Sequence, residues 1–287
     1  MIIKKIFGLK LALSLFLSQS CAFFNKTTLE ISKNQWSGLY ITFADIDENY
    51  KRESGIDTHW KKMNKQSARP YYKFLDKSYF IEGTYYNERK EYLVIKDSNG
   101  KLYKTDMKNF NKQSIPNYLV TDDMMIKTGK MIGDTIWLNN TLDNENFFTK
   151  TGHNFNRFEP VVINGIYLFQ NKETDFPIWF KISSTAGYEG FVRFNGEDKN
   201  KTGEKDHYFT YNPLPKNWKK DIVSKVLDRK VHLGMTTQQV KVSIGNPDKI
   251  NSTSSRHGNS EQWIYKNGKK ENVYFQFENH KLIYIND

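Results

Sequence analysis

Rhythm limits this fold more than any other feature of the chain. Short aromatic-rich runs recur along most of it, and turn residues cut each one off before it reaches helical length. The clearest are "YYKFLDKSYFIEGTYY" and "KEYLVIKDSNGKLYKTD". Aromatic and β-branched residues suit a pleated, half-buried surface, so such runs predict strands. In the second, Tyr92–Ile95 and Leu102–Lys104 flank "DSNG", which ends on Gly100, and this predicts a β-hairpin. Hydrophobic residues make up only 38% of the 287, but aromatics supply 15%. Each buried ring removes a large apolar area from water, so folded domains are expected, not a disordered chain. The 17 Gly and 7 Pro spread among the runs imply abundant turns.

One strand-rich stretch extends from Trp36 to about Val120. A second begins at Gly133 with "GDTIWLN", "FNRFEPVVINGIYLF", "FPIWFKI" and "GYEGFVRFNGE". Four β-type runs with Asn-, Gly-, Thr- and Asp-rich loops predict a small twisted barrel or sandwich. The stretches share their rhythm, but their sequences give no convincing residue alignment. Trp36, Trp60, Trp137 and Trp179 lie in strand-like runs, where rings normally fill a core. Over about twenty residues, "PIWFKI" and "GYEGFVRF" resemble the closing hairpin of bacterial Src-homology-3-like barrels, near residues 133–196.

"GEDKNKTGEKDHYF" reads as an exposed loop, and the two prolines of "NPLPKNW" break any sheet at a domain boundary. Beyond it, Ile222, Val223, Val226 and Leu227 form one apolar helical stripe. In "GMTTQQVKVSIGNP", Thr236 can cap a second helix and Gln239 completes a Thr-x-x-Gln capping box. Val240 and Ile244 form a narrow inward stripe. Gly245 is placed to end the helix in a left-handed conformation, and Pro247 prevents its resumption. A two-turn helix is unstable alone and must dock. "EQWIY", "NVYFQF" and "KLIYI" supply three strands for it, with turns at Asn267-Gly268 and in "ENHK". "ENVYFQF" imitates a protease-tag sequence, yet it keeps the strand alternation and reads as native. The expected class is α+β: one or two β-rich N-terminal domains, then a helix–helix–three-stranded antiparallel sheet.

This C-terminal stretch resembles the BamE/SmpA/OmlA lipoprotein domain over residues 219–287. Gly234 and Met235 begin the shared motif, Val240 is its helix core residue, and Gly245 and Pro247 are its stop. Trp263 and Tyr265 mark the first strand and Phe277 the second. The resemblance implies a protein-binding scaffold. Members of that family are small outer-membrane lipoproteins that bind barrel-assembly proteins and anionic lipid, and similar folds occur in secreted β-lactamase-inhibitor proteins. Residues 23–218 have no counterpart in the small members, which separates this chain from them. Fold transfers more safely than function.

The other end of the chain agrees. "MIIKKIFGLKLALSLFLSQSCA" places Lys4 and Lys5 before an apolar run, a secretory leader over residues 1–22 that is too short to span a membrane. Cys21, the only cysteine, falls just after that run, where bacterial lipoproteins are acylated; cleavage without acylation is the alternative. The domains expected after the leader cover 23–130, 131–212 and 219–287, with a Pro-containing linker over 213–218. The net charge is +11, or +8 once Lys4, Lys5 and Lys10 leave with the leader. For an exported protein this makes nucleic acid a poor partner and anionic lipid headgroups a better one, though the lysines can equally serve solubility.

Catalytic signals are missing. His59, His153, His207, His232, His257 and His280 show no metal-ligand spacing, and no nucleophile elbow, phosphate-binding loop or dinucleotide fingerprint occurs. "DSNG" lacks the later ligands of a calcium loop, and "DIDENYKRE" reads as a solvated loop. The expectation is a non-catalytic envelope lipoprotein without metal or cofactor. It would be anchored on the periplasmic side of the outer membrane and bind envelope proteins, including barrel-assembly components. A cell-wall or glycan-binding protein and a secreted enzyme inhibitor are the alternatives.

Overall fold

Strand pairing starts where the aromatic runs start. The computed structural model describes residues 30–110, 114–149, 152–172, 176–196, 207–255, 258–266 and 271–286. The leader with Cys21, His257, the Asn267-Gly268 turn and most of the charged loop after Gly196 lie outside them. A first series contains β1 (Ile31–Ser32), β2 (Tyr40–Phe43), β3 (Asp45–Ile46), helix α1 (Glu48–Ser54), β4 (Lys61–Lys62), β5 (Ser78–Asn87), β6 (Lys90–Asp97), β7 (Leu102–Asp106), β8 (Leu119–Thr121) and helix α2 (Asp122–Gly129). A second contains β9 (Thr135–Leu138), β10 (Phe147–Thr149), β11 (Pro160–Gln170), β12 (Ile178–Ser184), β13 (Glu189–Arg193) and β14 (Tyr208–Phe209). Helices α3 (Lys220–Leu227) and α4 (Thr237–Ile244) follow, then β15 (Lys249–Ser255), β16 (Gly258–Tyr265), β17 (Val273–Glu278) and β18 (Lys281–Asn286).

The first sheet runs β4-β7-β6-β5-β2-β8 and the second β10-β13-β12-β11-β9-β14. These are one path used twice, with β2 matching β9, β4 matching β10, and so on to β8 and β14. Register agrees as well. Ile81 faces Ile95 and a bulge precedes Gly83; Ile163 faces Ile182 and a bulge precedes Gly165. The hairpins close alike, with Gly100 N–H on the Asp97 carbonyl at 2.9 Å and Gly187 N–H on the Ser184 carbonyl at 3.0 Å. Matched positions fill the two cores: Ile41 and Ile136, Trp60 and Phe147, Leu93 and Phe180, Ile95 and Ile182. The two units are structural repeats.

Each long central strand also gains a short partner beyond its bulge. β1 pairs antiparallel with β5, and Gly83 makes that approach possible. A Cβ there would stand 2.1 Å from the Ser32 carbonyl oxygen, at a φ of +147°. β3, from the first series, pairs in parallel with β11 of the second. The last strand of each repeat then reaches into the next core. Val120 on β8 joins the second core with Met124 and Met125 of α2. Its counterpart on β14, Phe209, joins the C-terminal core.

The expected α+β class is corrected. The chain is β-rich, 17% helical and 41% strand, and its N-terminal sheets are curled half-barrels, not a closed barrel or a sandwich. The C-terminal sheet has four strands, in the order β15-β16-β17-β18. Its extra member, β15 ("KINSTSS"), carries one apolar residue and so gives no alternation to read. An edge strand needs only backbone pairing, and β15 pairs with β16 from Lys249 to Ser255.

Candidate functional site

The motif residues of the C-terminal domain converge, and they converge on its core. Met235, Val240 and Phe277 are fully buried and Trp263 nearly so. The Trp263 and Phe277 rings lie 4.4 Å apart, and the indole N–H donates to Glu261 Oε2 at 2.7 Å. Gly234 and Met235 bind the last strand through backbone bonds: Gly234 N–H donates to the Leu282 carbonyl at 2.7 Å, and Leu282 N–H to the Met235 carbonyl at 2.8 Å. The capping box of Thr236 and Gln239 is present with both bonds made. Gly245 ends α4 at φ 97° and ψ −174°, a positive-φ conformation that suits glycine but lies outside the left-handed helical region. The Tyr265 hydroxyl donates to the Gly245 carbonyl at 2.8 Å, tying that stop to the sheet. Pro247 sits half-buried just before β15. These residues build the domain's core and its helix ends.

One residue that the sequence reading passed over locks this domain to the second repeat. Arg157 donates to the Val226 carbonyl at 2.6 Å, and to those of Val242 and Ser243 at 2.8 and 3.0 Å. Its Nε donates to Asn139 Oδ1 at 3.1 Å. The carbonyls belong to the last turns of α3 and α4, where backbone acceptors lack helical partners and the helix dipole is negative. One guanidinium therefore closes two helix ends. Arg193, only 1% exposed, plays a comparable part inside the second repeat. It lies over the Trp179 ring at 4.3 Å and donates to Asn146 Oδ1 at 2.7 Å and to the Glu145 carbonyl at 3.2 Å.

The two faces of the C-terminal sheet differ sharply. The inner face carries Trp263, Phe275, Phe277 and Leu282 against Val226 of α3 and Val240 and Val242 of α4. Alternation sends Gln262, Tyr274, Gln276 and Tyr284 to the outer face. They line a shallow depression of about 270 Å³, and Tyr284 is 57% exposed. Hydrogen bonds across the strands hold the amides in place. Asn251 donates to Gln262 Oε1 at 3.2 Å and Gln276 to Ser260 Oγ at 2.6 Å. Rigid tyrosines beside ordered amides suit a protein surface, since both bury area at low entropic cost.

Chemistry-bearing groups are scattered elsewhere. Among the described residues no group of three or more His, Cys, Asp or Glu is placed to hold a metal ion. Burial lowers the His59 pKa, against an opposing backbone hydrogen bond with Ser54. His153 stacks on Tyr188 with ring centroids 3.8 Å apart. His280 occupies the β17–β18 turn at φ 65°, its Nδ1 3.6 Å from Glu261 Oε1. Trp60 and Trp179 are buried, whereas Trp36 and Trp137 pack half-buried against their cores. No helix among the described residues is long and apolar enough to cross a membrane. Comparisons with protein-family models, curated proteins and solved structures give no match.

Proposed function

We propose that this chain is a non-catalytic binding protein of the cell envelope, anchored through lipid on Cys21, whose C-terminal domain docks an envelope protein on its outer sheet face. The observation that carries the reading is the uncovered Gln262, Tyr274, Gln276 and Tyr284 surface, on a sheet whose opposite face is filled by two helices. Tyr-rich surfaces with little charge bury ring area and satisfy amides at once, as protein interfaces do. The resemblance to BamE-like lipoprotein domains supports the same reading, with barrel-assembly components as the first partners to test and anionic headgroups as an auxiliary contact.

The test is in-cell photocrosslinking from position 284, with position 53 on α1 as control, in the otherwise natural chain and in the Tyr274→Arg/Gln276→Arg variant. A defined protein captured from 284, absent from 53, and lost in the variant is the expected result. The same partners captured from both positions, or retained in the variant, would sink the docking assignment.

A further inference from the structure

The mouth of the first half-barrel holds a built cleft that the second half-barrel fills, and it lies apart from the docking face. The cleft has a volume of about 470 Å³, within the usual range for small-molecule sites. Tyr79 and Tyr103, each 2% exposed, form its floor with Arg69 and Asp97, and Lys77 and Lys101 stand at the rim. The Arg69 guanidinium lies 5.5 Å from the Tyr103 ring centroid and 5.7 Å from that of Phe74. Its Nε is buried without a hydrogen-bond partner among the described residues. Aromatic rings hold the cation in place and leave its donors unspent.

The carboxylate opposite is already oriented. Asp97 Oδ1 accepts from Asn99 N–H at 3.0 Å and Lys101 N–H at 2.9 Å, and Oδ2 accepts from the Tyr103 hydroxyl at 3.1 Å. Burial pushes the Tyr79 hydroxyl up to about 12, with Tyr103 adding to the effect and Arg69 opposing it, so the group stays a donor at neutral pH. Asp76, exposed at the rim, offers a second acceptor.

The second repeat supplies an internal control. By register, Val161 stands for Tyr79, Gly190 for Tyr103 and Tyr188 for Lys101. There Phe155, 5% exposed, lies over Gly190, where an added Cβ would meet its ring at 3.4 Å. His153 stacks on Tyr188 above it and reaches Glu159 at 3.9 Å. The same backbone is plugged in one copy and open, with an unspent cation, in the other.

We infer that the first repeat binds a small oxyanion carried on a sugar ring, a sugar acid or sugar phosphate. Arg69 and the Tyr79 hydroxyl would take the oxyanion, the tyrosine floor the ring body, and Asp97 with Asp76 the ring hydroxyls. A planar guanidinium suits a carboxylate or a phosphate equally, so the ring body and the hydroxyl acceptors set the class.

The test uses the isotope-labelled chain, titrated by NMR with glucuronate, glucose 6-phosphate, glucose, acetate and inorganic phosphate. Saturable shifts centred on residues 97–103 with glucuronate, glucose 6-phosphate or both, weaker by about tenfold or more in Arg69→Met, are expected. Tyr79→Phe leaves the packing intact and should weaken the same ligand by several-fold. The tighter of the two sugar-borne anions tells carboxylate from phosphate. Glucose, acetate or inorganic phosphate binding as tightly as the sugar-borne anions, binding unchanged in both variants, or no saturable shift at 10 mM of any probe (roughly the floor for a millimolar site) overturns the proposal.

Discussion

The two half-barrels follow the same strand path, carry a bulge at the same place and close the same hairpin, yet they spend matched positions differently. On the inside, Tyr79 and Tyr103 line a cleft, whereas in the second repeat the Phe155 ring lies over Gly190. On the outside, Lys61 faces Lys104 where Phe148 faces Phe191. The Phe pair stacks at 4.6 Å, while the Lys104 ammonium rests 4.9 Å from the Tyr92 ring, beside a like charge. One repeat is built for packing. The other carries charge on both surfaces, which costs stability and suits a binding role. A backbone path this tolerant of its filling can be duplicated and then divided between two tasks.

The comparison can be broken by opening the plug. Phe155→Ala removes a buried ring over Gly190, and a loss of about 3–5 kcal/mol is expected in urea denaturation. A loss under about 1 kcal/mol would show that the ring fills little. A second test concerns the shared bulge. Gly83→Ala drives a methyl into the Ser32 carbonyl, whereas Gly165→Ala meets nothing within 4 Å. The first should cost about 1–3 kcal/mol by forcing β1 away; the second should stay within about 1 kcal/mol of neutral. Equal effects at both positions would deny β1 its dependence on glycine.

The smallest effect sharpens the outer face. Burial lowers the Lys104 pKa from 10.5, Lys61 adds to the lowering and Glu88 opposes it. Folding therefore favours the neutral amine. This group's stability is fully present above pH 10.5 and is lost as pH falls through the lowered value. Lys104→Met should raise stability at pH 7 by up to about 1 kcal/mol, with the gain shrinking toward pH 10.5. Urea melts at the two pH values give the answer, and an equal gain at both would remove charge as the cause.

Local chemistry was legible and long-range chemistry was not. "DSNG" closes its hairpin through Gly100, "ENHK" turns with Asn279 and His280 at positive φ, and Thr236 and Gln239 cap α4, because each device is complete within four residues. The repeat was hidden because a few identical positions, such as Ile95 and Ile182, are mixed with unlike ones, such as Trp60 and Phe147 or Tyr103 and Gly190. β1 and β3, two residues each, carry too little pattern to read. Arg157 signals nothing locally, since its acceptors are Val226, Val242 and Ser243. Arg69 was missed for the same reason. The outer face had one faint signal, the polar alternation Gln262, Tyr274, Gln276 opposite the ring-bearing positions.

β3 has a consequence for how the chain is made. Asp45 and Ile46 leave the ribosome long before Phe169 and Gln170, with which they pair. The joint is then finished by Asp47 N–H on the Gln170 carbonyl at 2.9 Å and by the fully buried Gln170 side chain, which donates to the Asn117 carbonyl at 2.9 Å. The second half-barrel thus completes its edge with a strand synthesised in the first. A fragment beginning at residue 131 would present the far end of β11 as a bare strand edge, open to pairing with another chain. The strand path is used twice, but β3 and Gln170 join the two sheets, and neither copy can be lifted out without leaving a seam.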